Sequence, residues 1–310
     1  MASAGKPVFL ARAETIASRD NRWLKKFRAA LRGGESSADG WIGVEGTRLV
    51  EEALRSGLPI EAVLVSTSGE RHLARLAGWI PPDTRILHTN DRLFAGVADT
   101  QTPQGIAALV RPRPTAFDDI LRGPEAAQPL VVVLVGVQDP GNVGTIVRAA
   151  EAFGATGVCA CPHGNAGTAH PLAPKALRAS AGSALRLPVI HGVAVPILLA
   201  QLRIAGVNLY AACPAHAHLE TDGDSIEVRS ASPAKPGSAP QPLLNPWDAA
   251  LRGPAALLVG NEGAGLPAEV VRSADALVRI PLAAGVNSLN AAVAASVLLY
   301  EAARQRRERV

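Results

Sequence analysis

The apolar positions of this chain change period along its length, and the changes mark out elements. Asp20 to Leu31 carries Trp23, Leu24, Phe27, Ala30 and Leu31 at helical spacing. Val44–Arg55 reads as a second helix with Leu49, Val50 and Leu54 on one side. Ile60–Ser66 alternates as a strand does, a helix follows near Arg71–Ala77, and Ile86–His88 is a short strand. Leu93–Val97 reads as helix and Ile106–Val110 as strand. Arg111-Pro112-Arg113-Pro114 then breaks the pattern. From Leu130 the run Leu-Val-Val-Val-Leu-Val-Gly-Val has no polar residue, which predicts a parallel strand buried on both faces. It opens an alternating β/α series that ends in an alanine-rich helix after Asn290, with Leu289, Val293, Val297 and Tyr300 as its expected buried stripe.

This pattern predicts an α/β protein in three parts. Residues 1–112 form a smaller N-terminal α/β domain, 113–128 a linker or short helix, and 129–310 a larger parallel-sheet domain. Residues 216–245 are rich in Ser, Pro, Ala, Gly and charge and poor in core-forming residues, so they read as an exposed insertion.

Composition narrows the picture. Hydrophobic residues make up 48% of the 310 and aromatics only 4%, so the cores must rest on Ala, Val and Leu. The net charge of +4 is compatible with a polyanionic partner. Arg22, Lys25, Lys26, Arg28 and Arg32 crowd the first helix, and Lys6, Arg12 and Arg19 precede them, against Glu14, Asp20 and Glu35. The cluster reads either as a solvated helix face or as a phosphate-contacting surface. Three cysteines, Cys159, Cys161 and Cys213, make no disulfide framework, and Cys159-Ala160-Cys161-Pro162-His163 lacks a full metal-ligand set, so no metal is expected. No apolar leader follows a basic start, and Ile280–Tyr300 is interrupted by Pro281, Gly285, Asn287, Ser288 and Asn290. A cytoplasmic protein without a membrane span is expected.

The candidate chemistry lies in three loops that each follow an apolar run. Asp139-Pro140-Gly141-Asn142-Val143-Gly144 opens a helix that carries Arg148 and stops near Gly154. Gly260-Asn261-Glu262-Gly263-Ala264-Gly265 brackets Glu262 with glycines. Ile280-Pro281 leads to Asn287-Ser288-Leu289-Asn290 at the mouth of the last helix, where Asn287 or Ser288 is the expected N-cap. Neither a G-x-G-x-x-G dinucleotide fingerprint nor a Walker G-K-[ST] is present in these loops.

Taken in order, Asn-Val-Gly-x-x-x-Arg-x-x-x-x-Phe-Gly, Gly-Asn-Glu-Gly-x-Gly and Ile-Pro with Ser-Leu-Asn resemble the three motifs of the SpoU (TrmH) family of the SPOUT superfamily. The resemblance covers residues 129–310 apart from the insertion. Pro174-Lys175-Ala176-Leu177-Arg178-Ala179-Ser180-Ala181-Gly182 also looks like the family. Val44–Val50 and Thr102–Gly105 are similar to the family's ribosomal-protein-like substrate-binding domain.

The resemblance implies a deep trefoil knot in the C-terminal parallel-sheet domain, which no spacing argument would propose. It also implies a homodimer through that domain and S-adenosyl-L-methionine as cofactor. The implied reaction is methyl transfer to a ribose 2′-hydroxyl of RNA, with 23S-type rRNA favoured. The alternatives are a tRNA 2′-O-methyltransferase and a catalytically weak RNA-binding relative. By motif position, Gly260, Ile280, Pro281, Ser288 and Leu289 would hold the cofactor. Arg148, Asn142, Glu262, Ser288 and Asn290 would form the catalytic set. A guanidinium is a poor general base, so Arg148 is expected to orient and stabilise charge. Arg22, Lys25, Lys26, Arg28, Arg32 and Arg48 would contact RNA.

Overall fold

The structure is a computed structural model that describes residues 13–32, 39–123, 127–163, 167–213, 219–222, 225–228 and 241–307. The chain divides into two units, Met1–Pro114 with Leu172–Arg186, and Thr115–Pro171 with Leu187–Val310.

The first unit is a mixed sheet with helices. In chain order it holds β1 (Glu14–Thr15), α1 (Arg22–Arg32), β2 (Ile42–Glu45), α2 (Thr47–Arg55), β3 (Ile60–Ser66), α3 (Glu70–Leu76), β4 (Arg85–Thr89), α4 (Asp91–Ala95) and β5 (Ile106–Val110). The strand order is β1-β4-β3-β5-β2, with β5 antiparallel to both its neighbours. α1 buries Trp23, Leu24, Phe27, Ala30 and Leu31, the stripe its spacing predicts. Fully burying side chains of this size contributes roughly 1.5–3 kcal/mol each.

The expected helix over Val44–Arg55 is corrected at its start. Ile42–Glu45 is a fully buried strand paired with β5, and the helix begins only at Thr47. Gly46, at φ 92°, makes the turn between them, a conformation that excludes most side chains.

The second unit is built on one parallel sheet. It comprises α5 (Phe117–Leu121), β6 (Leu130–Val135), α6 (Pro140–Ala152), β7 (Gly157–Cys161), β8 (Val189–His191), α8 (Val195–Ile204) and β9 (Asn208–Cys213). After these come β10 (Leu219–Asp222), β11 (Ser225–Val228), β12 (Leu243–Leu244), β13 (Ala255–Val259), α9 (Ala268–Ser273), β14 (Ala276–Arg279) and α10 (Ala291–Arg307). Between β7 and β8 the chain contributes α7 (Pro174–Ala179) to the first unit. The sheet order is β12-β14-β9-β13-β6-β7-β8, every pair parallel. β6 is an interior strand, between β13 and β7, and is buried throughout, as its unbroken apolar run requires.

Most of the expected insertion at 216–245 lies outside the described residues. Within it β10 and β11 pair antiparallel, and Leu243–Leu244 re-enters the sheet as an edge strand beside β14. α5 lies in the expected linker, and its Ile120 is fully buried.

α10 carries the second correction. Its buried residues are Ala291, Ala292, Ala295, Leu298, Leu299, Ala302, Ala303 and Gln305. Val293, Val297 and Tyr300, expected to be inside, are 49%, 38% and 58% exposed. Small alanines let the helix pack closely on α6, so the larger residues three and four apart turn outward. Arg306 donates to the carbonyls of Gln128, Pro129, Leu251 and Gly253 at 2.6–2.9 Å, and Arg304 to Glu301 at 2.7 Å. Arg309 lies outside the described residues, as do Lys6, Arg12 and Glu35.

Candidate active site at the carboxyl edge of the sheet

β6, β13 and β14 run out into the three loops singled out in the sequence. Because the strands are parallel, all three loops emerge along one edge of the sheet. Strand order also switches there. β6, β7 and β8 step toward one side, β9 lies on the other, and β13 fills the gap between β9 and β6. The crevice outside the carboxyl ends of strands at such a switch is the usual ligand site of open α/β sheets.

The first loop is fixed at both ends. The Asp139 side chain accepts from the Gly141 N–H at 3.0 Å and caps α6, with Pro140 in the first turn. Gly136 donates its N–H to Thr168 Oγ1 at 2.8 Å, and its carbonyl accepts from Asn261 Nδ2 at 2.8 Å. The Ala169 N–H adds a bond to the Val137 carbonyl at 2.9 Å. The loops after β6, β7 and β13 are thereby stitched together.

The second loop closes on itself. Asn261 Oδ1 accepts from the N–H groups of Gly263 and Ala264 at 2.8 and 3.0 Å, an Asx-type turn. Asn261 also bridges Gly265. A Cβ on Gly260 would lie 2.3 Å from the Gly265 carbonyl carbon, so the turn excludes any side chain there. Glu262 is left exposed at the tip.

In the third loop, Asn290 is the cap of α10. Its Oδ1 accepts from the N–H groups of Ala292 and Val293 at 2.8 and 3.3 Å. Asn287 and Ser288, expected in that role, lie exposed before it. Among the described residues the backbone of 280–289 keeps a single hydrogen bond, Val286 N–H to the Ala283 carbonyl. Ile280 and Leu289 are half-buried, and Pro281 is exposed.

A short hydrogen-bonded line joins all three motifs. Asn290 Nδ2 donates to Asn142 Oδ1 at 3.0 Å, and Asn142 Nδ2 donates to Glu262 Oε1 at 2.7 Å. The helix cap sets the direction. With Asn290 Oδ1 turned to the α10 N–H groups, its amide nitrogen faces Asn142, and the Asn142 nitrogen must face the carboxylate.

Arg148 does not join this line. It is exposed and makes no hydrogen bond or ion pair among the described residues. Six residues of helix rotate it about 120° from Asn142, onto the face of Thr145 and Gly141. Ser288 likewise has no bonded partner among the described residues.

The expected RNA contacts divide. Lys26 binds Glu61 at 2.8 Å, Arg28 the Gly96 carbonyl at 3.1 Å and Arg32 the Ala98 carbonyl at 2.8 Å, so these three hold the first unit together. Arg22 lies 5.6 Å from the Trp23 ring centre. Lys25 and Arg48 are exposed and unpaired among the described residues.

Cys159 and Cys161 are buried in β7, and burial pushes the Cys161 thiol up to about 12 and that of Cys159 higher still. Among the described residues no group of three or more His, Cys, Asp or Glu side chains could hold a metal ion. No helix among them is long and apolar enough to cross a membrane.

Sequence reasoning missed Gly136, Thr168 and the structural part of Asn261. The Asn-x-Gly spacing at 261–263 is a turn signal that could have identified the last. It also passed over His170 and His191, whose ring centres lie 3.9 Å apart, His170 after β7 and His191 at the end of β8.

An all-parallel switched sheet, with a polar loop cluster at its carboxyl edge and a second small α/β unit, defines a two-unit α/β protein with a candidate ligand site at that edge. Residues 129–300 match the SpoU rRNA Methylase family and residues 35–108 the MRM3-like substrate binding domain. An uncharacterized tRNA/rRNA methyltransferase of Synechocystis is 31% identical over 294 residues, 94% of each chain. The 23S rRNA (guanosine(2553)-2′-O)-methyltransferase RlmP of Bacillus subtilis is 29% identical, covering 92% of this chain and 97% of that one. The AdoMet-bound rRNA methyltransferase of Sinorhizobium meliloti superposes with a TM-score of 0.73 at 27% identity, covering 95% of this chain and 98% of that one. The SpoU methyltransferase AviRb of Streptomyces viridochromogenes, also with AdoMet, gives 0.71 at 26%, covering 93% and 99%. The chain belongs to the SpoU rRNA methylase family.

Proposed function

We propose that this protein transfers a methyl group from S-adenosylmethionine to a ribose 2′-hydroxyl of RNA, with ribosomal RNA as the favoured substrate. The observation that carries the reading is the Asn290–Asn142–Glu262 line, which draws three separate motifs to one point beside α6. The 23S rRNA activity of the Bacillus subtilis relative and the matching substrate-binding domain support rRNA over tRNA.

The loops fit the cofactor. The peptide groups of Ile280 and Leu289 have no backbone partners among the described residues, and the Gly260 turn follows a neighbouring strand of the same sheet edge. Such groups suit an adenosyl edge recognised through backbone donors and acceptors. Gly260, Ile280, Pro281, Ser288 and Leu289 would hold it. When bound, it supplies an electrophilic methyl on sulfur.

The chain's own residues then have three tasks. Glu262, oriented by Asn142, accepts hydrogen bonds from the incoming nucleotide and fixes its ribose. Arg148, exposed and unpaired among the described residues, orients the nucleotide through its phosphate and stabilises charge as the 2′-oxygen loses its proton. Ser288 and Asn290 border the approach. An RNA phosphate helps to take the proton, because a guanidinium holds its own.

Three further features belong to the same reading. The chain after β14 returns past β9 and β13 to reach Asn142, which supports a trefoil knot; an experimental trace through 255–290 tests the threading. The outward face of α10 supports a homodimer. A cytoplasmic site of action follows from the substrate.

Transfer of tritium from labelled S-adenosylmethionine into total RNA tests the activity. Wild-type enzyme should label rRNA at a ribose 2′-oxygen. The Arg148→Ala variant should bind RNA yet turn over about 10²-fold more slowly, the scale expected for losing one charge-stabilising group. Cofactor binding with no label in any RNA would remove the proposal, and label confined to tRNA would reassign the substrate.

A further inference from the structure

Three segments that share no role in the loop cluster meet in the first unit. Glu45 ends β2, Asp99 to Gly105 precedes β5, and Leu172–Arg186 arrives from between β7 and β8. Glu45 is 6% exposed, and its carboxylate accepts from the Asp99 N–H at 2.8 Å, the Thr100 N–H at 3.3 Å and the Thr100 hydroxyl. Gln104 Oε1 accepts from the Thr47 N–H at 2.8 Å, which ties the far end of the same loop to the start of α2. The Asp99 carboxylate, held in place by its own backbone, then pairs with Arg178 at 2.8 Å. A second pair joins Arg186 to Glu52.

The incoming segment is shaped for this seat. Ala176, Leu177 and Ser180 are buried. Ala181 and Gly182 take successive left-handed conformations, at φ 50° and 88°. A Cβ on Gly182 would stand 2.8 Å from Glu52 Cβ, so the approach requires glycine. Positive φ at a non-glycine residue persists only where the surroundings impose it.

Leu172–Arg186 lies within the stretch that matches the methylase family, yet it packs in the unit that matches a substrate-binding domain. The chain therefore crosses between the units three times, after Pro114, Pro171 and Arg186. We propose that Leu172–Arg186 is the coupling element through which RNA seated on the substrate-binding unit sets the rate of methyl transfer, with Arg178 as its positioning residue. The inference rests on the functional reading above. RNA that bears on the 99–105 loop bears on Asp99, and Asp99 holds Arg178 and the segment that continues into β8.

Two measurements test it. Single-turnover methylation at saturating RNA and S-adenosylmethionine should fall about tenfold in Arg178→Ala and Asp99→Ala. Dissociation constants for both ligands should stay within about twofold of wild type. The charge reversal Asp99→Arg with Arg178→Asp should recover much of the rate, which ties the loss to this ion pair. Amide exchange supplies a readout that needs no turnover. RNA should slow exchange across 172–186 in wild type and not in Arg178→Ala, with Arg178→Lys intermediate. An unchanged single-turnover rate in Arg178→Ala would overturn the proposal. So would equal exchange protection in wild type and variant, or charge reversal no better than either single change. Wild-type enzyme that protects 172–186 on binding RNA but labels none would instead overturn the functional reading.

Discussion

Asn142 Nδ2 lies 2.7 Å from Glu262 Oε1, although 120 residues separate them, and the contact is directed from a third residue. Asn290 caps α10 with its oxygen and gives its nitrogen to Asn142, so one helix terminus sets the orientation of a carboxylate in another loop.

That direction can be reversed without removing the cap. Aspartate is as good an N-cap as asparagine, so Asn290→Asp should change stability by no more than about 0.5 kcal/mol. Its carboxylate cannot donate to Asn142, and the Asn142 amide would turn its nitrogen to residue 290 and away from Glu262. We expect kcat/KM to fall at least tenfold, about 1.4 kcal/mol of transition-state stabilisation. Asn290→Ala should lose the cap as well, costing about 1 kcal/mol in thermal unfolding. Equal activity in wild type and Asn290→Asp, at equal Tm, would show that the line does not orient Glu262.

The Gly260 turn gives a prediction about cofactor binding. Gly260→Ala places a methyl group 2.3 Å from the Gly265 carbonyl carbon, inside any tolerable contact distance, so the loop must open. Core strands are untouched, and the fold should survive. Calorimetric titration with S-adenosylhomocysteine should then show affinity weakened at least tenfold. Gly263→Ala is the control. The atom nearest its added Cβ is Asn261 Oδ1 at 3.6 Å, an ordinary contact. Undiminished affinity in Gly260→Ala would move the cofactor to another loop.

How much of this was legible beforehand depends on where the information lay. Asn142, Glu262 and Asn290 stand in short local patterns of glycine and asparagine, which a single sequence displays. Their mutual bonding is a property of strand order, and nothing local to β14 says that its loop returns to α6. The α10 error has a different cause. Hydrophobicity alone ranks Val293, Val297 and Tyr300 above Ala292, Ala295 and Ala302, whereas close packing on α6 selects for small size. The basic stripe of α1 was legible as charge, but charge does not disclose its partners within the fold. Lys26, Arg28 and Arg32 meet Glu61 and the carbonyls of Gly96 and Ala98, residues distant in the chain.

The histidine pair predicts a pH effect on stability. His170 is half-buried against His191, and desolvation, then the neighbouring imidazole, lowers its pKa from 6.5 to about 4. The unfolded chain therefore binds this proton before the folded one does. Stability rises with pH wherever the unfolded state holds more protons, so the contribution is present above about pH 6.5 and is lost as pH falls toward about 4. Urea midpoints measured from pH 7.5 to 4.5 should decline more steeply in wild type than in His170→Phe. Parallel curves would mean that His170 titrates normally in the folded state.

The outward face of α10 offers the last test, of assembly. Val293, Val297 and Tyr300 follow one another at i, i+4 and i+7 and are all exposed, and the Tyr300 ring meets Phe153 edge-on at 5.8 Å. An exposed apolar stripe of this kind marks an interaction site, and a twofold partner buries the same stripe on both copies. Val297→Asp would put two carboxylates into that contact and nothing into the core, because the buried side of the helix is the alanine side. Sedimentation equilibrium should give a dimer for wild type and a monomer for Val297→Asp, with far-UV circular dichroism unchanged. The exposed Val286, in the loop that is proposed to bind the cofactor, precedes the same helix. Loss of the dimer should therefore also weaken cofactor affinity, and a monomeric variant of full affinity would separate assembly from binding.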